Sequence, residues 1–313
     1  MNTNVIKREK AVNERLRGDK IFFWCVLLWP IIQFAIFYVY INLDAFVLAF
    51  QECDPITLKY SFGGDLLINF NRFFGEIAAS NEIPRGILLS FTDYAFGLVV
   101  GMPITLYLSY VMYKKVPAHK FFKIILYVPS IISSTVWVLL YFQLMENAVP
   151  AIVFSLTGNK IGGVISNIDS SFPAILYFQM WYSLGSGTLL YIANMSGIPE
   201  ERSEAMRIDG AGSIREFWNL ILPSIWPIIT LGLYTGIPEI ITRTMNMFTF
   251  YGYDAPSHLR TFGYWLEVRK YRASSNVFDL PYIAAIGMLQ GLITIPLMFL
   301  VRYLLGKFGP KED

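Results

Sequence analysis

Six long apolar blocks constrain this chain more than any other feature. A helix needs about 20 mostly apolar residues to cross a bilayer. Stretches at approximately 21–43, 86–113, 123–145, 172–195, 217–241 and 281–305 reach that length. Charged residues make up only 15% of the chain, against roughly 25% in soluble domains. They gather in the short segments between blocks, so a soluble enzyme does not fit. The pattern predicts an all-α membrane protein with six transmembrane helices.

Lys and Arg set the orientation. With the N-terminus inside, the inner segments 1–20, 114–123, 196–216 and 302–313 hold sixteen, and the outer segments 44–85, 146–171 and 242–280 hold nine. The bias predicts an N-in/C-in arrangement. The first block runs from Ile21 to Leu43 without a small-residue cleavage site and reads as a retained helix. Residues 1–20 then form a cytoplasmic N-terminal segment, 21–308 a single six-span domain and 309–313 a cytoplasmic tail. The outer segments 44–85, 146–171 and 242–280 are too long and too apolar for plain linkers and predict an outer cap over the helices or part of an entry path.

Other chemistries find little support. Cys25 and Cys53 lie in different settings, and His119 and His258 are the only histidines, so neither a disulfide framework nor a metal site is indicated. Both histidines are expected to be solvated. No basic, aromatic-interleaved patch points to nucleic acid. Ionisable residues inside spans suggest a relay or a structural pair. Here Asp93, Glu239 and Arg243 lie near the outer ends of spans two and five, where pairing is the favoured reading, with Glu239 and Arg243 on one helix face.

The inner segment 196–216 is more than a connector. Pro199 suits a first helical position, and Glu200 and Glu201 suit a helix N-terminus. Asp209-Gly210-Ala211-Gly212 reads as a tight break, because glycine accepts positive φ. Ser213 and Glu216 have capping-box spacing and start a second helix, which runs into span five, where Pro223 and Pro227 predict kinks. The segment thus reads as a short helix, a glycine turn and a helix start, either docked in a partner's groove or lying on the membrane surface.

Glu204-Ala205-Met206, then Gly210, Leu220 and Leu222-Pro223, resemble the EAA loop of binding-protein-dependent ABC importer permeases. Asp209-Gly210-Ala211 ahead of Phe217 is similar to the carbohydrate-uptake branch, the MalF-like sugar permeases. Met206 and Leu220 depart from that pattern, which has Ala and Ile there. Weaker likeness in Ala49-Phe50-Gln51, Asn69-Phe70, Tyr127-Val128-Pro129 and Tyr282-Ile283-Ala284-Ala285 extends the resemblance over about residues 20–308.

The resemblance implies a type I importer permease fold in the bacterial plasma membrane, with 196–216 as the cytoplasmic coupling loop. Glu204, Ala205, Met206, Asp209, Gly210 and Ala211 would engage a separate ATPase: Glu204 by polar contact, Ala205 and Met206 by filling its groove, Gly210 by giving the turn. The implied partners are a dimer of that ATPase, a second homologous permease and an extracellular sugar-binding lipoprotein or periplasmic binding protein. No G-x-x-x-x-G-K-[ST] phosphate loop is present in the sequence, so ATP and Mg are expected on the partner and no cofactor on this chain. A sugar site mixes aromatic rings with hydrogen-bonding side chains. Trp137, Tyr141, Gln179, Trp181, Tyr182, Asn194 and Tyr234 are the candidates, although interfacial anchoring also explains such aromatics. Gly185 and Gly187 predict close helix approach in span four. An ion-coupled secondary transporter of a small polar solute is the alternative, with a membrane enzyme a more distant third.

Overall fold

The computed structural model describes residues 18, 20–54, 56–275 and 277–310. The expected N-terminal segment 1–20 and tail 309–313 fall almost wholly outside that range. The described chain forms two compact units. The first holds residues up to Arg72 and the segment 277–288, and the second holds 73–275 and the residues from Leu289 on.

In the first unit, α1 (Lys20–Leu48) is a 29-residue apolar helix containing a π-helical stretch, Phe34–Tyr40. Trp24, Trp29 and Phe37 lie exposed along it, a surface suited to lipid rather than water. A two-stranded hairpin follows, β1 (Glu52–Cys53) antiparallel to β2 (Tyr60–Ser61), with Glu52 opposite Ser61. Asp54 closes its turn by accepting from the Ile56 N–H at 2.9 Å and the Thr57 hydroxyl at 2.7 Å. The Asn69 amide donates to the Ala49 and Gln51 carbonyls, which fixes the chain after α1. Arg72 pairs with Asp279 at 3.0 Å and lies over the Tyr282 ring. The described residues of segment 44–85 are therefore structured.

The second unit is helical throughout. After α2 (Ile68–Ala79), which begins in the first unit, come α3 (Glu82–Tyr113), α4 (His119–Ile131), α5 (Ser134–Thr157), α6 (Ile168–Met195), α7 (Glu200–Ile208), α8 (213–242), α9 (Met247–Tyr251), α10 (Phe262–Ser275) and α11 (Leu280–Phe308), whose first residues also belong to the first unit. The central helix is α6, which packs against α3 and α4. Gly185 makes the second contact possible: a Cβ there would sit 2.1 Å from the Leu126 carbonyl oxygen, so no side chain fits. This is the small-residue approach that membrane helices use, where packing replaces the hydrophobic effect.

Two buried cores flank opposite halves of α6. Near its start, Ile175 and Phe178 pack with Val138, Tyr141, Met247, Phe250 and Tyr264. Near its end, Met195 packs with Leu106, Leu220, Ile221, Ile225 and Ile229. The outer segment 242–280 supplies α9 and α10, and α10 packs on α3 and α8. Arg260–Glu82 and Arg269–Glu76 pairs tie that segment to α3 and α2.

The spans differ from expectation in three places. Among the described residues, five helices are long and apolar enough to cross a membrane: Lys20–Leu48, Glu82–Tyr113, Ser134–Thr157, Ser213–Tyr251 and Val277–Phe308. The expected fourth span, 172–195, is a real helix of 28 residues, long enough at about 1.5 Å per residue to cross. It carries polar and glycine residues along its length, and one side of it, including Ile175, Phe178, Leu184, Gly185, Thr188 and Ile192, is buried against protein.

The expected third span, 123–145, is interrupted instead of continuous. Ile132 and Ser133 are extended, with ψ of 145° and 133°, and a new helix begins at Ser134. Serine competes with the helix for backbone groups, and β-branched neighbours lose side-chain freedom in it. The helix then continues past Glu146 and Asn147, through a π turn at Leu144–Ala148, to a left-handed Gly158. The outer segment starting at 146 is thus helical at first. Glu146 clasps its remainder by accepting from the Ile165 and Ser166 N–H groups and the Ser166 hydroxyl.

Candidate functional site

The loop between α6 and α8 adopts the helix–turn–helix that its sequence predicts, with different fastenings. Pro199 is the residue before α7, not its first helical residue, and Glu200 and Glu201 occupy the first turn. Asp209 ends α7 and Gly210 turns at φ 78°, a conformation that costs an L side chain roughly 1–2 kcal/mol. The Ala211 N–H then reaches back to the Met206 carbonyl at 2.9 Å.

The capping box does not form. Gly212 precedes α8 with no side-chain cap, and Ser213 is already helical. Glu216 turns away from its own helix start, is 2% exposed, and collects tertiary partners. It accepts from the Ser203 hydroxyl of α7 at 2.7 Å and from Lys114, just past α3, at 2.6 Å. The Tyr110 hydroxyl of α3 donates to the Ser213 carbonyl at 2.9 Å. A buried carboxylate is tolerable only with such charge-assisted donors. They hold α7, the end of α3 and the start of α8 together, and spacing along the sequence gives no sign of them.

The six expected coupling residues share this loop but face different ways. Glu204, Ala205, Asp209 and Gly210 are exposed, whereas Ala211 is half-buried. Met206 packs on the chain's own core beside Leu220 and Ile221. The freely presented apolar side chains are instead Ile208, 86% exposed, and Ile214, 78% exposed. Beside α7 lies a polar recess of about 440 Å³, lined by Tyr113, Lys114, Lys115, Glu204 and Arg207 among others.

The substrate candidates do not all converge. Trp137 of α5 and Trp181 of α6 meet edge to face at 5.2 Å, and Tyr141, Phe178 and Tyr182 continue the cluster. Tyr141 is a core residue whose hydroxyl donates to the Ala174 carbonyl at 2.8 Å. Gln179 accepts from Asn246 at 3.3 Å. The Gln179 amide nitrogen and the Trp137 indole nitrogen are buried donors with no partner among the described residues. Asn194 lies far along α6 and bonds its own helix at the Leu190 carbonyl. Tyr234 sits in α8 under the Arg302 guanidinium.

The ionisable residues resolve as a structural pair. Arg243 reaches Asp93 at 3.0 Å and Glu239 at 3.7 Å. His258, expected to be solvated, is half-buried and lies 3.0 Å from the Ser171 hydroxyl. Burial, followed by the nearby Arg85 charge, holds its imidazole below the ordinary histidine value.

A bundle of membrane-crossing helices with a braced helical loop at one end and unpartnered polar donors in its aromatic core defines a multi-pass transport component. The chain belongs to the family described as binding-protein-dependent transport system inner membrane component, which matches residues 73–311. Protein LplB of Bacillus subtilis (strain 168) is 24% identical over 309 residues, spanning 95% of this chain and 92% of the relative. The polygalacturonan/rhamnogalacturonan transport system permease protein YteP of the same organism is 22% identical, spanning 98% and 95%. Its arabinooligosaccharides transport system permease protein AraP is 23% identical, spanning 89% and 86%. The crystal structure of a bacterial ABC transporter that imports the acidic polysaccharide alginate matches with a TM-score of 0.74 at 16% identity, over 96% of this chain and 99% of that one. The fold is thus that of an ABC importer permease.

Proposed function

We propose that this chain is the sugar-translocating permease subunit of an ATP-driven importer, working beside a second homologous permease. In this reading α7 docks on a cytoplasmic ATPase dimer, which binds the ATP and Mg. An extracellular binding protein delivers an oligosaccharide or related sugar to the opposite side. The loop 196–216 and both described termini then lie on the cytoplasmic face. The observation that carries the reading is the construction of the loop: a short helix braced against two spanning helices, with Ala205, Ile208 and Ile214 left exposed. Rigid-body switching needs such a firmly joined lever.

The sugar assignment draws support from the relatives' transport of polygalacturonan, rhamnogalacturonan and arabinooligosaccharides. The chemistry of the α5–α6 cluster agrees. Trp137 and Trp181 offer ring faces, while Gln179 and the Trp137 indole offer unused donors, the combination that sugar C–H faces and hydroxyls require. Purification from native membranes in mild detergent, followed by intact-mass analysis, tests the assembly. A soluble ATPase and a second permease should remain bound. Recovery of this chain alone, under conditions that preserve other membrane complexes, contradicts the reading.

A further inference from the structure

The glycine turn presents a mechanical problem. The covalent link from α7 to α8 is Asp209-Gly210-Ala211-Gly212, with Gly210 at φ 78° and Gly212 extended at ψ 170°. Two glycines in four residues make the backbone there more compliant than elsewhere in the loop. A lever connected only by such a link would pivot before it pushed.

Glu216 spans that link. Its carboxylate lies one helical turn into α8, yet it accepts from Ser203 in the middle of α7, thirteen residues earlier. Ser203 is 4% exposed and Glu216 2%, so water competes little for either group. The same carboxylate accepts both Lys114 contacts, and Tyr110 adds a longer contact at 3.4 Å beside its bond to the Ser213 carbonyl. Three elements thus meet on one buried carboxylate: α7, the C-terminal end of α3 and the start of α8.

We propose that Glu216 is a positioning residue that makes α7, α3 and α8 move as one body, so that motion imposed on α7 reaches span two as well as span five. This rests on the docking role given to α7 above. The glycine turn supplies the reversal and the Ser203–Glu216–Lys114 strut supplies the stiffness. Ser203 is the specific joint to α7. Removing its hydroxyl leaves the Lys114–Glu216 ion pair and the Met206 packing intact and removes only the hydrogen bond from α7 to Glu216.

The test uses the whole importer, purified in nanodiscs, with Cys25 and Cys53 replaced by serine. Spin labels are placed at Glu201→Cys on α7 and Val99→Cys on α3, both exposed positions. Distances are measured without nucleotide and after trapping with ATP and vanadate. If the strut is present, the labelled background keeps one narrow Glu201–Val99 distance in both states. Ser203→Ala and Glu216→Gln should keep that distance without nucleotide and lose it, broadening or shifting, once nucleotide is trapped. Turnover of ATP should continue while uptake per ATP falls by about tenfold, the order expected for a lost hydrogen bond to a charged group.

Glu216→Gln is the variant more prone to misassembly, and Ser203→Ala keeps the buried pair and decides the question alone. Lys114→Glu combined with Glu216→Lys should restore part of the coupling. Variants that match the background in both states overturn the strut, as do variants that broaden equally without nucleotide, which mark a purely structural bond. A preparation that retains no ATPase at all overturns the docking role and the strut together, whereas retained ATPase with unchanged distances overturns the strut alone.

Discussion

Removing the Arg243 guanidinium should be among the most destabilising single changes in the second unit. Asp93 lies within α3 and is only 4% exposed, and Arg243 reaches it at 3.0 Å. Arg243→Met keeps the apolar stem and leaves that carboxylate buried without a cation. Breaking a buried pair in this way costs about 3–5 kcal/mol. Asp93→Asn is milder, because Arg243 stays partly exposed and close to Glu239. Its cost is about 1–2 kcal/mol, the scale of one polar interaction. Glu239→Gln should fall within about 1 kcal/mol, as its side chain is largely exposed and its contact is long. The double variant Asp93→Asn/Arg243→Met should then be more stable than Arg243→Met alone, since no charge is stranded. Denaturant titration of the purified complex in one detergent, read by loss of tryptophan signal, gives this ranking. The reasoning fails if Arg243→Met lies within 1 kcal/mol of wild type, or if Glu239→Gln equals it.

Three further outcomes are expected. Gly210→Val places a β-branched residue at φ 78° and should lose most uptake while the chain still inserts and ATP turnover persists; unimpaired uptake would count against the turn's role. Trp181→Ala should weaken uptake of the transported sugar without loss of bound ATPase, whereas Tyr141→Phe, which loses the bond to Ala174, should lower stability by about 1 kcal/mol and leave uptake affinity unchanged. His258 has its folded value depressed below 6.5, so its contribution to stability is present above pH 6.5 and lost as pH falls through the folded value. Unfolding measured between pH 7 and 5 should therefore show stability falling with pH, and His258→Gln should flatten that slope; an unchanged slope would remove His258 from the account.

Spans one, two, five and six are readable from the sequence because lipid-facing helices need apolar residues on nearly every side. The fourth block is readable as a long helix, although its polar content leaves it outside the five helices apolar enough to cross. The third span goes astray for two local reasons. The helix breaks at Ile132 and Ser133 in the middle of an apolar block, and Glu146-Asn147 looks like a terminus although the helix continues through it. Hydropathy records neither event. In the loop, Gly210 announces the turn, since few other residues accept its backbone angle. The fate of Glu216 is hidden, because Lys114 lies 102 residues away and only folding brings the two together. A local capping rule then yields to a tertiary ion pair. Among the substrate candidates, Trp137, Tyr141, Trp181 and Tyr182 pack in one cluster, while Asn194 lies near the far end of α6 and Tyr234 on α8, outside it.

The central claim is that α7 presents its exposed side to an ATPase, and site-specific photocross-linking in intact cells tests it most directly. A photoreactive residue at Ile208, on the open side of α7, should capture an ATPase subunit, and one at Met206, turned into the chain's own core, should not. Equal capture from both positions, or none from Ile208 in a complex that transports, would contradict the account.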